Sequence, residues 1–218
     1  DEAQRAYAEV ENRHGGRFQR ELALGKARLA FSRKDFPSAA ALFEQAAAAS
    51  ADAKAADLAR FNAASSWYRA GVFDKAAAGF AHLAAGKGEE AARALYWQAK
   101  SVADAGKTSE AVALFARAVS AAAMPADKAR AWFGLGEQHT AMKQPAKAAD
   151  AYLQAATAEP KGPLTASALY AASLARGEEG RHDEAAKLAR QVAAEFPDSD
   201  LAGRAHFAPA NPEPGHSH

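Results

Sequence analysis

The sequence predicts an all-α fold: a right-handed α-solenoid of about five helix pairs with short flanking helices. Three observations carry this. A small residue followed four positions later by a bulkier one recurs as Ala39/Phe43, Ala76/Phe80, Ala111/Phe115 and Ala148/Tyr152, with Ala185/Ala189 as a weaker fifth copy. The anchor alanines are 37, 35, 37 and 37 residues apart, and a period of this size means stacked supersecondary units. Roughly three residues in ten are alanine, the best helix former, and small enough to let helices approach closely.

The elements follow in order. Residues 1–16 predict an N-terminal capping helix with Ala6, Tyr7 and Val10 on one side, interrupted at Gly15 and Gly16. The solenoid is expected over 17–200, in units of about 17–53, 54–87, 88–124, 125–161 and 162–197. In the first unit, Leu22, Leu24, Leu29 and Phe31 mark the first helix. Phe36 and Pro37 open the second, since proline suits a first helical turn. The next units turn at Gly71, at Gly106, at Lys143-Gln144-Pro145 and at Gly180. Glycine just past a helix takes the left-handed conformation that ends it. Asp198-Ser199-Asp200 reads as an N-cap region for a C-terminal capping helix within 198–207. Residues 208–218, with Pro209, Pro212 and Pro214, predict a disordered tail.

These residues resemble the tetratricopeptide repeat (TPR). The fourth unit carries the pattern most fully, through Trp132, Leu135, Gly136, Ala148, Tyr152, Ala155 and Pro160. The first two keep its second-helix part, and the third keeps Gly106, Ala111, Phe115 and Ala118. The fifth keeps Gly180, Ala185 and Pro197. Ala27, Ala64, Ala99 and Ser173 stand where Gly136 stands. The run Phe196-Pro197-Asp198-Ser199-Asp200-Leu201-Ala202 is similar to repeat junctions of bacterial envelope proteins such as the Tol-Pal coordinating protein. The alanine-rich pairs also resemble the superhelical part of soluble lytic transglycosylases.

The TPR resemblance implies that first helices line a concave groove. Aligned on the anchor alanines, Leu24, Phe61, Tyr96, Phe133 and Tyr170 share one position, with Arg93 and Arg130 one turn earlier and Lys100 one turn later. Phe61, Tyr96, Phe133, Tyr170, Arg93, Lys100 and Arg130 are therefore the candidate partner-binding residues. Aromatic rings offer large contact area at low entropy cost. Basic sides suit an acidic peptide or helix. Leu95, Trp132 and Leu169 are expected to fill the core beside them.

The remaining chemistry is bland. Charge is balanced at 27 basic and 26 acidic residues, with no field to attract nucleic acid or membrane. No apolar run is long enough to span a bilayer. Cysteine is absent, which removes disulfides and thiolate sites. The seven histidines show no zinc spacing, and a phosphate loop, a dinucleotide fingerprint and a nucleophile elbow are all missing. No cofactor or metal is expected. His216-Ser217-His218 reads as a solvated tail. Glu89-Glu90 suits a helix start, and Glu178-Glu179 reads as a solvated pair in a turn.

The expected function is a non-catalytic protein–protein interaction module: a scaffold or adaptor in a bacterial cell-envelope complex. The start at Asp1 leads to the expectation of a periplasmic protein whose signal peptide has been removed, with a cytoplasmic location as the other reading. Two other functions fit the same pattern. One is an accessory subunit packed permanently in a larger membrane-associated or enzyme assembly. The other is the superhelical fragment of a cell-wall lytic enzyme.

Overall fold

The structure, a computed structural model, describes residues 2–14 and 18–206. Twelve helices and no strand occur among the described residues: α1 Glu2–His14, α2 Gln19–Ser32, α3 Phe36–Ala48, α4 Ala53–Arg69, α5 Phe73–Ala84, α6 Glu89–Asp104, α7 Thr108–Ala121, α8 Pro125–Ala141, α9 Pro145–Ala158, α10 Thr165–Glu178, α11 His182–Glu195 and α12 Asp200–His206. The all-α fold of repeated helix pairs is the one the period predicts. The expected tail at 208–218 lies outside the described residues.

Local sequence explains where the helices begin. The Asp35 carboxylate caps α3 by accepting from the Ser38 N–H at 3.3 Å, and Pro37 occupies the first turn. Asp52 caps α4 in the same way, accepting from Ala55 N–H at 2.9 Å. Pro125 and Pro145 open α8 and α9. Glu89 and Glu90 lie in the first turn of α6, where the helix dipole favours negative charge. Ser199 Oγ accepts from the Leu201 N–H at the start of α12.

The turns within the pairs share one geometry. Lys34, Gly71, Gly106, Lys143 and Gly180 all have positive φ, between 54° and 79°. They are spaced 37, 35, 37 and 37 residues apart, in phase with the anchor alanines. At four of these turns the next residue's N–H returns to the carbonyl five residues back: Asp35 to Ala30, Val72 to Trp67, Gln144 to His139 and Arg181 to Arg176. This closes the helix end and satisfies a carbonyl that would otherwise be orphaned. Glycine marks three of the five sites. At the other two, lysine adopts a conformation that costs an L-residue roughly 1–2 kcal/mol.

The described chain forms two compact units, Asp1–Gly106 with α1 to α6 and Lys107–His218 with α7 to α12. The border falls at the Gly106 turn.

In the first unit each helix packs on the next. Ala23 meets Ala46 and Ala47, whereas Ala27, further along α2, meets Ala39 and Phe43, earlier on α3. The two helices therefore run antiparallel. The same two clusters put Ala59 against Ala46 and Ala47, and Ala63 against Ala39 and Phe43, so α3 and α4 are antiparallel too. Helix α1 reaches α2 through Tyr7, whose ring lies over Gly25, within 2.7 Å of where a Cβ would sit.

In the second unit α7 to α12 pack in sequence, and α12 also touches α10. Phe115 of α7 and Tyr152 of α9 are the bulky members of their repeats, and both press on glycines of α8.

The anchors behave as their phase predicts in four repeats. Ala39, Ala76, Ala111 and Ala148 have no exposed surface, and their partners Phe43, Phe80, Phe115 and Tyr152 are buried. Burying one such ring is worth about 1.5–3 kcal/mol. In the fifth repeat Ala185 is only half-buried, and Ala189 brings no ring.

Candidate protein-binding faces

On the first unit the face is built by α4 and α6. Phe61 is half-buried and meets the buried Phe80 edge-on, centroids 5.3 Å apart. Tyr96 is also half-buried and lies edge-on to Trp97 at 5.5 Å. Trp97 in turn stacks on Phe80 at 6.2 Å and meets Tyr68 at 5.4 Å. The two predicted rungs are thus the outer members of one connected aromatic array. Each puts one side on the core and one toward solvent.

Electrostatics alters the expected basic rim. Lys100 Nζ donates to both Asp104 oxygens, at 2.8 and 3.1 Å, and the Tyr68 hydroxyl donates to the same carboxylate. Lys100 is therefore already answered by its own helix at i, i+4. Arg93 is exposed and makes no ion pair among the described residues. In repeat phase with Arg93 stands Leu58 of α4, which is 64% exposed.

On the second unit α8 and α10 supply the equivalent positions. Phe133 is half-buried, with its ring 5.2 Å from that of Tyr152. Tyr170 packs by one side against the cluster of Ala155, Ala156, Leu169 and Val192. Arg130 is exposed but pairs with Asp127 at 2.7 Å. Leu174, one turn beyond Tyr170, is 50% exposed. Leu95 and Leu169 are buried as expected of core residues, and Trp132 is half-buried.

Leu58 and Leu174 were missed by the sequence reading. The signal was present: they occupy the phases of Arg93 and Lys100 in the second and fifth repeats. A search for cations at those phases passes over a leucine.

One charged cluster was also missed. Arg176 of α10, 6% exposed, is the only buried charged residue among those described. Its Nη2 donates to Asp150 of α9 at 2.6 Å, and its Nη1 to Glu179 at 2.8 Å. Its Nε lies 3.6 Å from Glu184 of α11, beyond hydrogen-bonding reach, and has no hydrogen-bond partner. Burial alone would lower the guanidinium pKa, but the hydrogen bonds to Glu179 and Asp150 outweigh it, leaving the pKa raised. This corrects the reading of Glu178-Glu179 as a solvated pair. Glu178 is exposed, but the Glu179 side chain is only 13% exposed because Arg176 and Arg181 cover it.

Among the described residues no three or more His, Asp or Glu side chains gather to hold a metal. No described helix is long and apolar enough to cross a membrane.

Helix pairs stacked through small anchors, with partly exposed aromatics on the first helices, define a helical-repeat scaffold. Residues 96–163 and 167–199 match the tetratricopeptide repeat family, so the chain carries tetratricopeptide repeats, a fold of protein–protein interaction modules. Among solved structures it is similar to MamA, with 16% identity over 89% of this chain and 98% of that one, TM-score 0.67. It is similar to YrrB, described as a TPR protein with an unusual peptide-binding site, with 17% identity over 93% and 98% of the two chains, TM-score 0.62. It is also similar to the apo form of RapI, with 15% identity over 94% of this chain and 63% of that one, TM-score 0.78. At these identities the likeness is one of fold. No curated protein sequence matches the chain.

Proposed function

We propose that this protein is a non-catalytic adaptor whose first helices bind a peptide or a partner helix. The observation that carries this is the set of half-buried rings at one repeat phase, Phe61, Tyr96, Phe133 and Tyr170, with exposed leucines close by at Leu58 and Leu174. Most of each ring goes into the core contacts described above. The part left exposed and the leucines are apolar surface that a partner would cover. Arg93, with no carboxylate of its own, suits an acidic side chain in the ligand. Because Lys100 and Arg130 are already paired, apolar contact rather than net charge supplies most of the affinity. The peptide-binding site named for YrrB supports the same reading by likeness of fold.

The setting proposed is a multi-subunit complex of the bacterial cell envelope, on the periplasmic side. Its support is the Phe196–Ala202 junction, which is similar to repeats of bacterial envelope proteins.

Capture on the immobilised protein from envelope extract, read by mass spectrometry, identifies the partner. The Tyr96→Ala/Phe133→Ala variant should then weaken binding by about 2–4 kcal/mol, the range of interface hot spots, while its helical circular-dichroism signal stays at the wild-type level. Undiminished binding by the folded variant overturns the proposal. Should that variant unfold, Leu58→Ser and Leu174→Ser make the same test without touching the core, and they too should weaken binding.

A further inference from the structure

We infer that α11 and α12 form a strap that opens as one local unit while α7 to α10 stay folded. The inference rests on how each second helix of the second unit is held. Helix α9 is fastened by a ring: Tyr152 seats on Gly136, and its hydroxyl meets Thr140 Oγ1 at 3.2 Å. Helix α7 is fastened likewise, by Phe115 against Gly134. Helix α11 has no such ring. Ala189 stands in phase with Phe115 and Tyr152, Ser173 of α10 stands in phase with Gly136, and the helix buries only Ala189 and Val192, with Leu188 and the C-cap Phe196 partly buried.

Charge does not make up the difference. Among the described residues, the two ion pairs across the Gly180 turn, Arg176 Nε to Glu184 and Arg181 to Glu179, both span 3.6 Å. Neither is a hydrogen bond. The short contacts lie on one side or the other: Arg176 with Asp150 and Glu179, and Arg181 with Glu184. Arg176 is thus gripped by α9 and by its own helix end, and reaches α11 with its one unsatisfied nitrogen. A buried network satisfied on one side only is a weak seam. Helix α12 travels with α11 because it packs chiefly on α11 and only slightly on α10. Opening uncovers Ala168 and Leu169 of α10, which are buried in one apolar cluster with Val192.

Hydrogen exchange on the full chain, followed by mass spectrometry across a range of sub-denaturing urea, tests this. Amides of α11 and α12 should exchange severalfold faster than those of α8 and α9, with a shallower dependence on urea, the mark of local opening. Equal protection and equal urea dependence across α8 to α12 would show one cooperative block and overturn the inference. Val192→Ala, which trims the larger of the two buried side chains of α11, should speed exchange in α11 and α12 and leave α8 and α9 as in the wild type. A uniform loss across α7 to α12, or no change in α11, would equally overturn it.

Discussion

The ring of Tyr152 lies where a side chain on Gly136 would go: a Cβ there would sit 2.6 Å from Tyr152 Cδ1. Gly134, two residues earlier, stands in the same relation to Phe115, at 2.5 Å from Cε1. Helix α8 therefore carries two glycines in its interior, each of which weakens an isolated helix by roughly 0.5–1 kcal/mol relative to alanine. They are tolerated because each makes room for a buried ring from a neighbouring second helix.

Gly136→Ala should accordingly destabilise the protein despite the better helix propensity of alanine. The Tyr152 ring is buried and cannot swing aside, so overpacking of about 1–3 kcal/mol outweighs the propensity gain. Thermal melts of this variant and of Gly134→Ala should both show a loss. An increase in Tm for either would mean that the ring has room to move.

The Tyr152 phenol gives a pH dependence. Burial raises its pKa above 10, the Thr140 hydroxyl opposes the shift, and Glu137 and Glu178 add to it. A folded-state pKa above the unfolded value means that the unfolded chain gives up this proton first. The contribution is complete below the unfolded pKa of about 10 and is lost as pH rises through the folded pKa. Denaturation midpoints should fall above pH 10, and less steeply in Tyr152→Phe. At neutral pH the same variant should lose about 0.5–1.5 kcal/mol, the net worth of one hydrogen bond.

Lys143 and Lys34 hold the left-handed turn that glycine holds in the other repeats. Replacing either by glycine removes a backbone cost of roughly 1–2 kcal/mol, part of which is returned as the greater freedom of glycine in the unfolded chain. Each substitution should stabilise by about 0.5–1 kcal/mol, read as a higher denaturant midpoint at unchanged slope. Gly180→Lys should do the reverse.

Ala111 has no exposed surface, and Phe115 one turn on is equally covered. Ala111→Leu should overpack this junction and cost about 1–3 kcal/mol. An unchanged melting temperature would show that α7 can shift to admit the larger side chain.

What the sequence alone determined is what repeats. The recurrence of Ala39, Ala76, Ala111 and Ala148 at 37, 35 and 37 residues marks the positions where helices must approach closely, and each is buried. The in-phase glycines mark turns because the left-handed conformation is strained for other residues. Tertiary structure decided what depends on neighbours distant in sequence. Lys34 and Lys143 take the same turn as glycine because the hydrogen bonds and packing around it outweigh a modest local strain. The aromatic rungs are neither core nor bare surface, since whether a ring is covered depends on neighbours such as Phe80 and Tyr152 from other helices. Arg176 looks like an ordinary surface cation until Asp150, a helix away, and Glu179 close over it. Periodicity reports the face on which a side chain emerges; burial and charge pairing depend on what the adjoining helices bring to that face.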